Sequence, residues 1–333
     1  MLDSIDRKIL HSLRCAPRIS FRRLGELADV SEQTAARRYQ ALYRRGVVRV
    51  AGLVDPAVYG RAQWVARIRC RPDRVGPLAD SLARRPDIAF AALASGGSEI
   101  ICIISSPVDL QRDDVLLRQL PKSTSVLDVR IDLLLHPFGG PGNADWTGYG
   151  DALTPAQVEE LLGEQPSERA SRLLQPTDED RPMLDALAED GRATHTGLAE
   201  ITGWSKARVA RRLAVLEEAG TLTYAVDLLP ERLGFHLNAT LWLRVAPAFL
   251  ERVGEELAGH REVAFAGATS GPHNVMAIVV CRTPEDFYGY LTTRVAAIPG
   301  IDAYEVSIRV RRLKQAASLI AHGRLVRSAT PWK

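Results

Sequence analysis

At 333 residues the chain is too long for one ordinary domain and suits two to four compact ones; its 46% hydrophobic and 25% charged residues are globular proportions. The longest uncharged run, residues 263–281, is broken by Thr269-Ser270-Gly271-Pro272-His273-Asn274 and cannot supply the roughly 20 apolar residues of a membrane span; the acidic start Leu2-Asp3-Ser4-Ile5-Asp6 is no secretory signal, so a cytoplasmic protein with no membrane partner is expected. The net charge of +3 is too small to name a partner, and four scattered cysteines (Cys15, Cys70, Cys102, Cys281) without a C-x-x-C pair read as reduced thiols.

The first fifty residues carry three helical patterns. Ser4 is placed to cap a helix with Ile5, Ile9, Leu10 and Leu13 inward, and Pro17 ends it. His11 stands one turn before Cys15, but no second ligand pair accompanies them, so no metal and no cofactor is expected. Ser20 caps a second helix with Leu24, Leu27 and Ala28 inward. Asp29-Val30-Ser31 then makes a tight turn, and Ser31 caps a third helix that runs to Arg45, with Gly46 as its stop. In that third helix Ala35, Tyr39 and Leu42 recur at i, i+4, i+7 and must face the core. The face left outside begins Ser31, Glu32, Gln33, Thr34, Arg37, Arg38. Gln, Thr and Arg near the start of such a helix are the types that read base edges in the major groove, while arginines further along suit phosphates. The short β-type run 47–50 follows, suited to a wing.

After Gly60 the pattern becomes strand, helix, strand, strand, helix, strand, at roughly 64–70, 74–84, 88–95, 99–105, 108–120 and 128–135. The order βαββαβ points to a ferredoxin-like sandwich. Helices cover one face of such a sheet; the other needs a partner. Between Pro137 and Thr177 the run Gly139-Gly140-Pro141-Gly142 lacks both a strand-to-helix context and a following Lys, so it reads as linker rather than phosphate cradle. Residues 154–163 predict a short helix, with Thr154 as cap, Pro155 in the first turn and Gly163 as stop.

The rest of the chain repeats what came before. Residues 5–60 align with 179–234 at a shift of 174 without a gap, giving sixteen identities in fifty-six positions where composition predicts about three. The pairs include Asp6/Asp180, Leu10/Leu184, Ser31/Ser205, Arg37/Arg211, Arg38/Arg212 and Gly46/Gly220. In the second copy the turn is Gly203-Trp204-Ser205, with glycine where a left-handed residue is least strained. Val209, Leu213 and Leu216 face inward, leaving Ser205, Lys206, Ala207, Arg208, Arg211 and Arg212 outside, and residues 221–224 form the second wing-like run. The second βαββαβ pattern falls at 237–245, 248–258, 263–270, 274–281, 284–298 and 303–310. Residues 1–50 hold eleven Lys/Arg against five Asp/Glu, whereas residues 178–226 hold six against nine. The first head should therefore supply more of the salt-dependent attraction to DNA.

The expected organisation is α+β: a winged helix-turn-helix DNA-binding head at 1–60, a ferredoxin-like effector and dimerisation domain at 61–137, a linker at 138–177, a second head at 178–234, a second ferredoxin-like domain at 235–316 and a tail at 317–333. The whole resembles the Lrp/AsnC family of transcription regulators in a tandem version. The resemblance rests on Ile5-Asp6-Arg7-Lys8-Ile9-Leu10, Arg18-Ile19-Ser20-Phe21, Leu24-Gly25-Glu26-Leu27-Ala28, Ser31 through Gly46, and the Leu120-Pro121 and Ile298-Pro299-Gly300 corners. It implies heads that bind double-stranded DNA, sandwiches that dimerise and sense a small molecule such as an amino acid or related metabolite, and further homo-oligomers built from a pseudo-dimeric chain. The family's sensing loop usually reads Thr-Gly-x-Tyr/Phe-Asp. Here the matching positions are Ser95-Gly96-Gly97-Ser98-Glu99 and Ser270-Gly271-Pro272-His273-Asn274, so the small residue and glycine remain while the aromatic is gone. The candidate effector residues are accordingly Ser95, Gly96, Ser98, Glu99, Ser270, Gly271, His273 and Asn274, with the satisfaction of turn backbone as the alternative role for the polar ones.

No catalytic triad, nucleotide fingerprint or metal-ligand spacing stands in the chain, and catalysis is not expected. Siroheme decarboxylases resemble the same family and also come as two related units. His273-Asn274 echoes their loop faintly, but Val275-Met276-Ala277-Ile278 replaces the Tyr-x-Arg stretch that should follow. The other alternative is a co-regulatory protein with degenerate heads.

Overall fold

The computed structural model describes residues 2–108, 126–139, 148, 152–163, 173–316 and 318–327. Its contacts fall into two units. One is Met1–Tyr59 with Tyr149–Leu233 and Ala321–Lys333, and holds both heads; the other is Gly60–Gly148 with Gly234–Ile320, and holds both sensor domains. Among the described residues no helix is long and apolar enough to cross a membrane.

In the first head α1 (Ser4–Cys15), α2 (Phe21–Ala28) and α3 (Glu32–Arg44) form as the apolar spacing requires, with Ile9, Leu10, Leu13, Leu24 and Ala35 fully buried. Asp3, not Ser4, caps α1: its carboxylate accepts the Asp6 N–H at 2.8 Å, and a charged acceptor suits the positive end of a helix. Ser20 and Ser31 cap α2 and α3 as expected, accepting from Arg23 N–H (3.1 Å) and Thr34 N–H (3.2 Å). Between α2 and α3 Asp29 takes the left-handed conformation the turn demands (φ 56°, ψ 44°).

The run expected as a wing does not fold back on its own head. It becomes β1 (Val48–Val54), whose partner is described with the second head below. In the sensor unit β2 (Arg61–Cys70), α4 (Val75–Ala83), β3 (Ile88–Ala94), β4 (Glu99–Pro107) and β5 (Val126–Pro137) follow. The expected helix at 108–120 and the Leu120-Pro121 corner lie outside the described residues.

The segment between the copies carries α5 (Pro155–Gly163), capped as expected by Thr154, whose Oγ1 accepts Gln157 N–H at 3.3 Å. This helix lies on α1. Leu153 and Leu161 are buried, and His11 Nδ1 accepts Leu153 N–H at 3.2 Å, so His11 serves as a core residue. The second head repeats the first with α6 (Arg181–Glu189), α7 (His195–Thr202) and α8 (Lys206–Glu218), and Gly203 holds the left-handed turn (φ 70°).

β6 (Leu222–Leu228) then pairs antiparallel with β1, from Val48↔Leu228 to Val54↔Leu222, so the two wing-like runs make one ribbon that joins the heads. Every residue of β1 but Leu53 is buried, and the segment from α6 onward packs close on it: a Cβ on Gly52 would lie 2.9 Å from the Leu187 side chain, and one on Gly191, just past α6, would lie 2.9 Å from the Ala51 backbone. Two arginines at equivalent positions complete the joint. Arg18 donates to the Gly191 and Ala193 carbonyls (2.5 and 3.1 Å), and Arg192 donates to those of Pro17 and Ile19 (2.7 and 2.6 Å). Arg192 also lies over the Phe21 ring at 4.8 Å and the Tyr39 ring at 5.0 Å.

The second sensor copy comprises β7 (Leu237–Val245), α9 (Leu250–Ala258), β8 (Val263–Thr269), β9 (Val275–Cys281), α10 (Pro284–Gly289) continued by a π-type turn (Tyr290–Val295), and β10 (Ile301–Gln315). The two sheets run β5-β2-β4-β3 and β10-β7-β9-β8, the ferredoxin-like order. Their last strands are long and each serves both sheets. β5 pairs with β2 through residues 126–133 and then with β8 at Leu134, His136 and Pro137; β10 pairs with β7 through Ile308 and then with β3 from Arg309 to Lys314. Eight strands thereby close into a ring without a free edge. The sheet faces turned away from the helices meet through Val65 and Ile101 of one copy and Trp242, Met276 and Ile278 of the other, so each copy is the other's partner.

The tail adds β11 (Ser318–Ala321), paired with β10, and β12 (Arg324–Arg327). Within the head unit Arg324 donates to the Arg44 and Arg45 carbonyls at 2.8 and 3.1 Å, closing the C-terminal end of α3.

Beyond β5, Phe138 is 1% exposed and sits in the second copy's core. A Cβ on Gly254 would lie 2.3 Å from its ring. Gly254→Ala should therefore cost roughly 1–3 kcal/mol by overpacking and lower the melting temperature by several degrees. An unchanged thermal melt would show that the ring is not held there.

Candidate nucleic-acid interface

α3 exposes Ser31, Glu32, Gln33 and Arg37, with Thr34 half-buried. Two of these are already engaged: Ser31 Oγ accepts the Thr34 N–H and stands 3.0 Å from Thr34 Oγ1, so the pair serves mainly to start the helix. Arg37 is exposed, with no acid beside it among the described residues. Gln33, Arg37, Gln40 and Arg44 follow one another at i, i+4, i+7 and i+11 and are all exposed, a stripe of donors along one side of the helix. Gln40 and Arg44 were not singled out from the sequence, although the same spacing marks them.

Arg38 and Arg212 do not belong to this free face. Arg38 pairs with Asp3 (2.5 Å) and Asp6 (3.1 Å), and Arg212 holds Asp180 through two bonds of 2.7 and 2.6 Å. The acid precedes the arginine by 32 residues in both heads, on α1 in the first and immediately before α6 in the second, so the pair fastens α3 or α8 to the start of its head's first helix. Burial alone would raise the Asp180 carboxyl. The Arg212 guanidinium and the Thr177 N–H and hydroxyl outweigh it and hold the group below the ordinary carboxylate range.

In the second head Ser205 caps α8 through Arg208 N–H at 3.2 Å, and Lys206, Arg208 and Arg211 are exposed. Arg208 is partly spent: it pairs with Glu179 at 2.5 Å and lies 4.0 Å over the Trp204 ring, in a shallow groove of about 320 Å³ that Arg211 also lines. The stripe equivalent to that of α3 reads Ala207, Arg211, Ala214, Glu218, with one cation instead of two and no amide.

In the sensor unit the two candidate effector loops meet at one polar seam. Ser95, strained at φ 53°, donates to Glu99 Oε2 at 2.9 Å, and Glu99 is 4% exposed. Arg67 donates to Glu99 at 2.7 Å and to Glu305 at 2.6 and 3.1 Å, while Ser307 donates to Glu99 at 2.8 Å and accepts Trp242 Nε1–H at 3.0 Å. Arg67 also stacks 4.4 Å over the Trp242 ring. His273 Nδ1 stands 3.8 Å from Glu305, and a Cβ on Gly271 would touch the Asp132 carboxylate. Arg67 holds the Glu305 carboxyl below its usual range; burial pushes Asp132 up and His273 down.

The remaining loop residues turn to backbone. Asn274 spends both amide atoms on Val245 (2.9 and 2.8 Å), Ser270 Oγ accepts Leu133 N–H, and Ser98 donates to the Ser95 carbonyl. Gly96 takes a left-handed φ of 68° with open space where a side chain would be. Arg67, Glu305 and Ser307 were missed from the sequence. Arg67 lies on the β2 face opposite Trp64, Ala66, Ile68 and Cys70, among Gln63, Val65 and Arg69, and nothing in that alternation marks it.

The chain is thus two helix-turn-helix heads and two paired ferredoxin-like sandwiches. Family models bear this out: an AsnC-type helix-turn-helix domain matches residues 2–42, winged helix-turn-helix DNA-binding matches 180–223, and the Lrp/AsnC ligand binding domain matches 238–319. The HTH-type transcriptional regulator LrpA of Pyrococcus abyssi is 30% identical over 136 residues, which span 96% of that protein and 40% of this one; LrpA of Pyrococcus horikoshii is 29% identical over the same shares. The chain belongs to the Lrp/AsnC family of transcription regulators. Over its whole length it is also similar in fold to the siroheme decarboxylase NirDL in complex with an iron-uroporphyrin III analogue. The TM-score is 0.61 at 14% identity, over 94% of this chain and 93% of that one.

Asp180 gives a test of how α8 is held. Asp180→Asn should cost roughly 2–4 kcal/mol at pH 7, because Arg212 loses its counter-charge at a half-covered site. The native carboxyl titrates below its unfolded value, so this contribution is complete above about pH 4 and fades as pH falls through the folded value. Denaturant melts of both proteins at pH 7 and pH 3 should show the gap closing in acid. Equal stability at pH 7 would discard the assignment.

Proposed function

We propose that the chain is a sequence-specific DNA-binding regulator whose first head is the principal reader and whose sensor seam takes a small polar effector such as an amino acid. The observation that carries this reading is the stripe Gln33, Arg37, Gln40, Arg44, set against Ala207, Arg211, Ala214, Glu218 on the equivalent helix. Amides and guanidinium groups at this spacing offer bidentate bonds to base edges and neighbouring phosphates; two alanines and a glutamate do not. The net charges of the two heads, +6 and −3 over residues 1–50 and 178–226, run the same way. Of the proposed DNA contacts, Gln33, Arg37, Lys206 and Arg211 keep their side chains outward, with Ser31, Glu32, Thr34, Ser205 and Arg208 around the helix starts.

A mobility-shift titration on a DNA fragment selected from a random pool tests this. Arg37→Ala should weaken specific binding by about 1–3 kcal/mol and Arg211→Ala by less. Unchanged affinity in Arg37→Ala would remove the reading face, and a larger loss in Arg211→Ala would reverse the order of the heads. For the seam, Arg67 already pairs with both Glu99 and Glu305, so an amino-acid effector would insert by exchanging its own charges for theirs. Calorimetry against an amino-acid panel should find a binder that Glu305→Gln weakens.

A second reading, an enzyme acting on a porphyrin carboxylate, draws on the likeness in fold to siroheme decarboxylase. Against it stand Val275, Met276, Ala277 and Ile278, which are buried in β9 and offer no polar group. Added iron-uroporphyrin that leaves the absorption spectrum unshifted would remove this reading.

A further inference from the structure

His136, Glu251 and Glu255 bring one imidazole and two carboxylates to a single exposed spot, with ligand atoms all within 4.8 Å of one another. We propose that they form a site for a divalent transition cation of the zinc type, which clips the end of β5 in the first sensor copy onto α9 of the second. This site is separate from the seam and from the recognition helices.

The backbone around it is built to hold that geometry. Glu251 and Glu255 lie one turn apart on one face of α9. His136 lies in the part of β5 that has crossed to the second sheet, in register with Ala268, while Pro137 faces Gly267. Two residues on, Phe138 projects to the same side as His136, their rings 5.2 Å apart, and is buried against Gly254, between the two glutamates in sequence. Phe138 N–H donates to the Ala266 carbonyl at 3.0 Å, and Gly139 N–H donates to Glu255 Oε1 at 3.2 Å. The chain just beyond His136 is thus tied to β8 through Phe138 N–H and to α9 through the Phe138 ring and Gly139 N–H.

The chemistry of the donors selects the ion. An imidazole nitrogen with two carboxylates suits borderline Zn²⁺, Ni²⁺ or Co²⁺; Ca²⁺ and Mg²⁺ prefer oxygen throughout, and Cu⁺ prefers sulfur. Two carboxylates match the charge of a divalent ion, and exposure leaves its remaining positions to water. Bonds of about 2.0–2.2 Å would set the donors about 3.3–3.6 Å apart, so the exposed side chains need only small rotations to close. Since the ligands come from different copies, the ion binds only the folded sensor unit and stabilises it by mass action.

The test uses the full chain after chelator treatment and removal of any affinity tag. Titration with Co²⁺ followed by visible absorption, and with Zn²⁺ by calorimetry, should show one ion per chain. His136→Ala and Glu251→Gln should each weaken it at least tenfold, with far-ultraviolet circular dichroism and DNA affinity unchanged. Glu251 is exposed, so its amide variant keeps the fold even if the histidine variant does not. Saturable binding that both variants retain, or no saturable binding up to about 100 μM, would overturn the proposal.

Discussion

The structure depends on one constraint: a βαββαβ unit leaves one sheet face bare and cannot bury it alone. The chain meets this by carrying the unit twice and letting each last strand run past its own sheet onto the other. β5 hands over from β2 to β8, and β10 from β7 to β3. The heads solve the same problem by pairing β1 with β6 and exchanging Arg18 and Arg192. Each copy is incomplete without the other, and the linker makes the meeting intramolecular, at high effective concentration.

Fusion also releases the copies from having to be alike. In a symmetric dimer, two residues that meet at the axis are the same residue. Here the ladder registers put Arg67 opposite Arg130 and Trp242 opposite Glu305, so Arg67 and Trp242 hold equivalent positions, as do Arg130 and Glu305. One is a cation and the other a ring, and they stack at 4.4 Å. Two Arg67 side chains facing one another would repel. The same freedom lets α3 carry Gln33, Gln40 and Arg44 where α8 carries Ala207, Ala214 and Glu218, while the Asp–Arg pairs that hold both helices in place are the same in both.

Much of this was legible in the residues. Caps at Ser20, Ser31, Thr154 and Ser205, the left-handed turn at Gly203, and the strands of both sensor copies lie where periodicity and cap chemistry put them, because these signals are local. Apart from the α1 cap, which Asp3 takes in place of its neighbour Ser4, the misses are non-local. The crossing half of β10 carries four of the chain's basic residues (Arg309, Arg311, Arg312, Lys314), and nothing in that run announces a partner strand more than two hundred residues away. Arg38 and Arg212 looked free because their acids stand 32 positions earlier, on or immediately before another helix. The seam and the His136 cluster join residues far apart in sequence, where no spacing rule applies.

The central claim is that two unlike heads, fixed together by one ribbon, read two unlike half-sites with the first head dominant. The most direct measurement is affinity for a footprinted operator with one half-site scrambled at a time. The account predicts that scrambling the half under the first head costs at least tenfold more than scrambling the other, and that binding keeps one orientation. Equal losses from both halves, with a symmetric footprint, would contradict it.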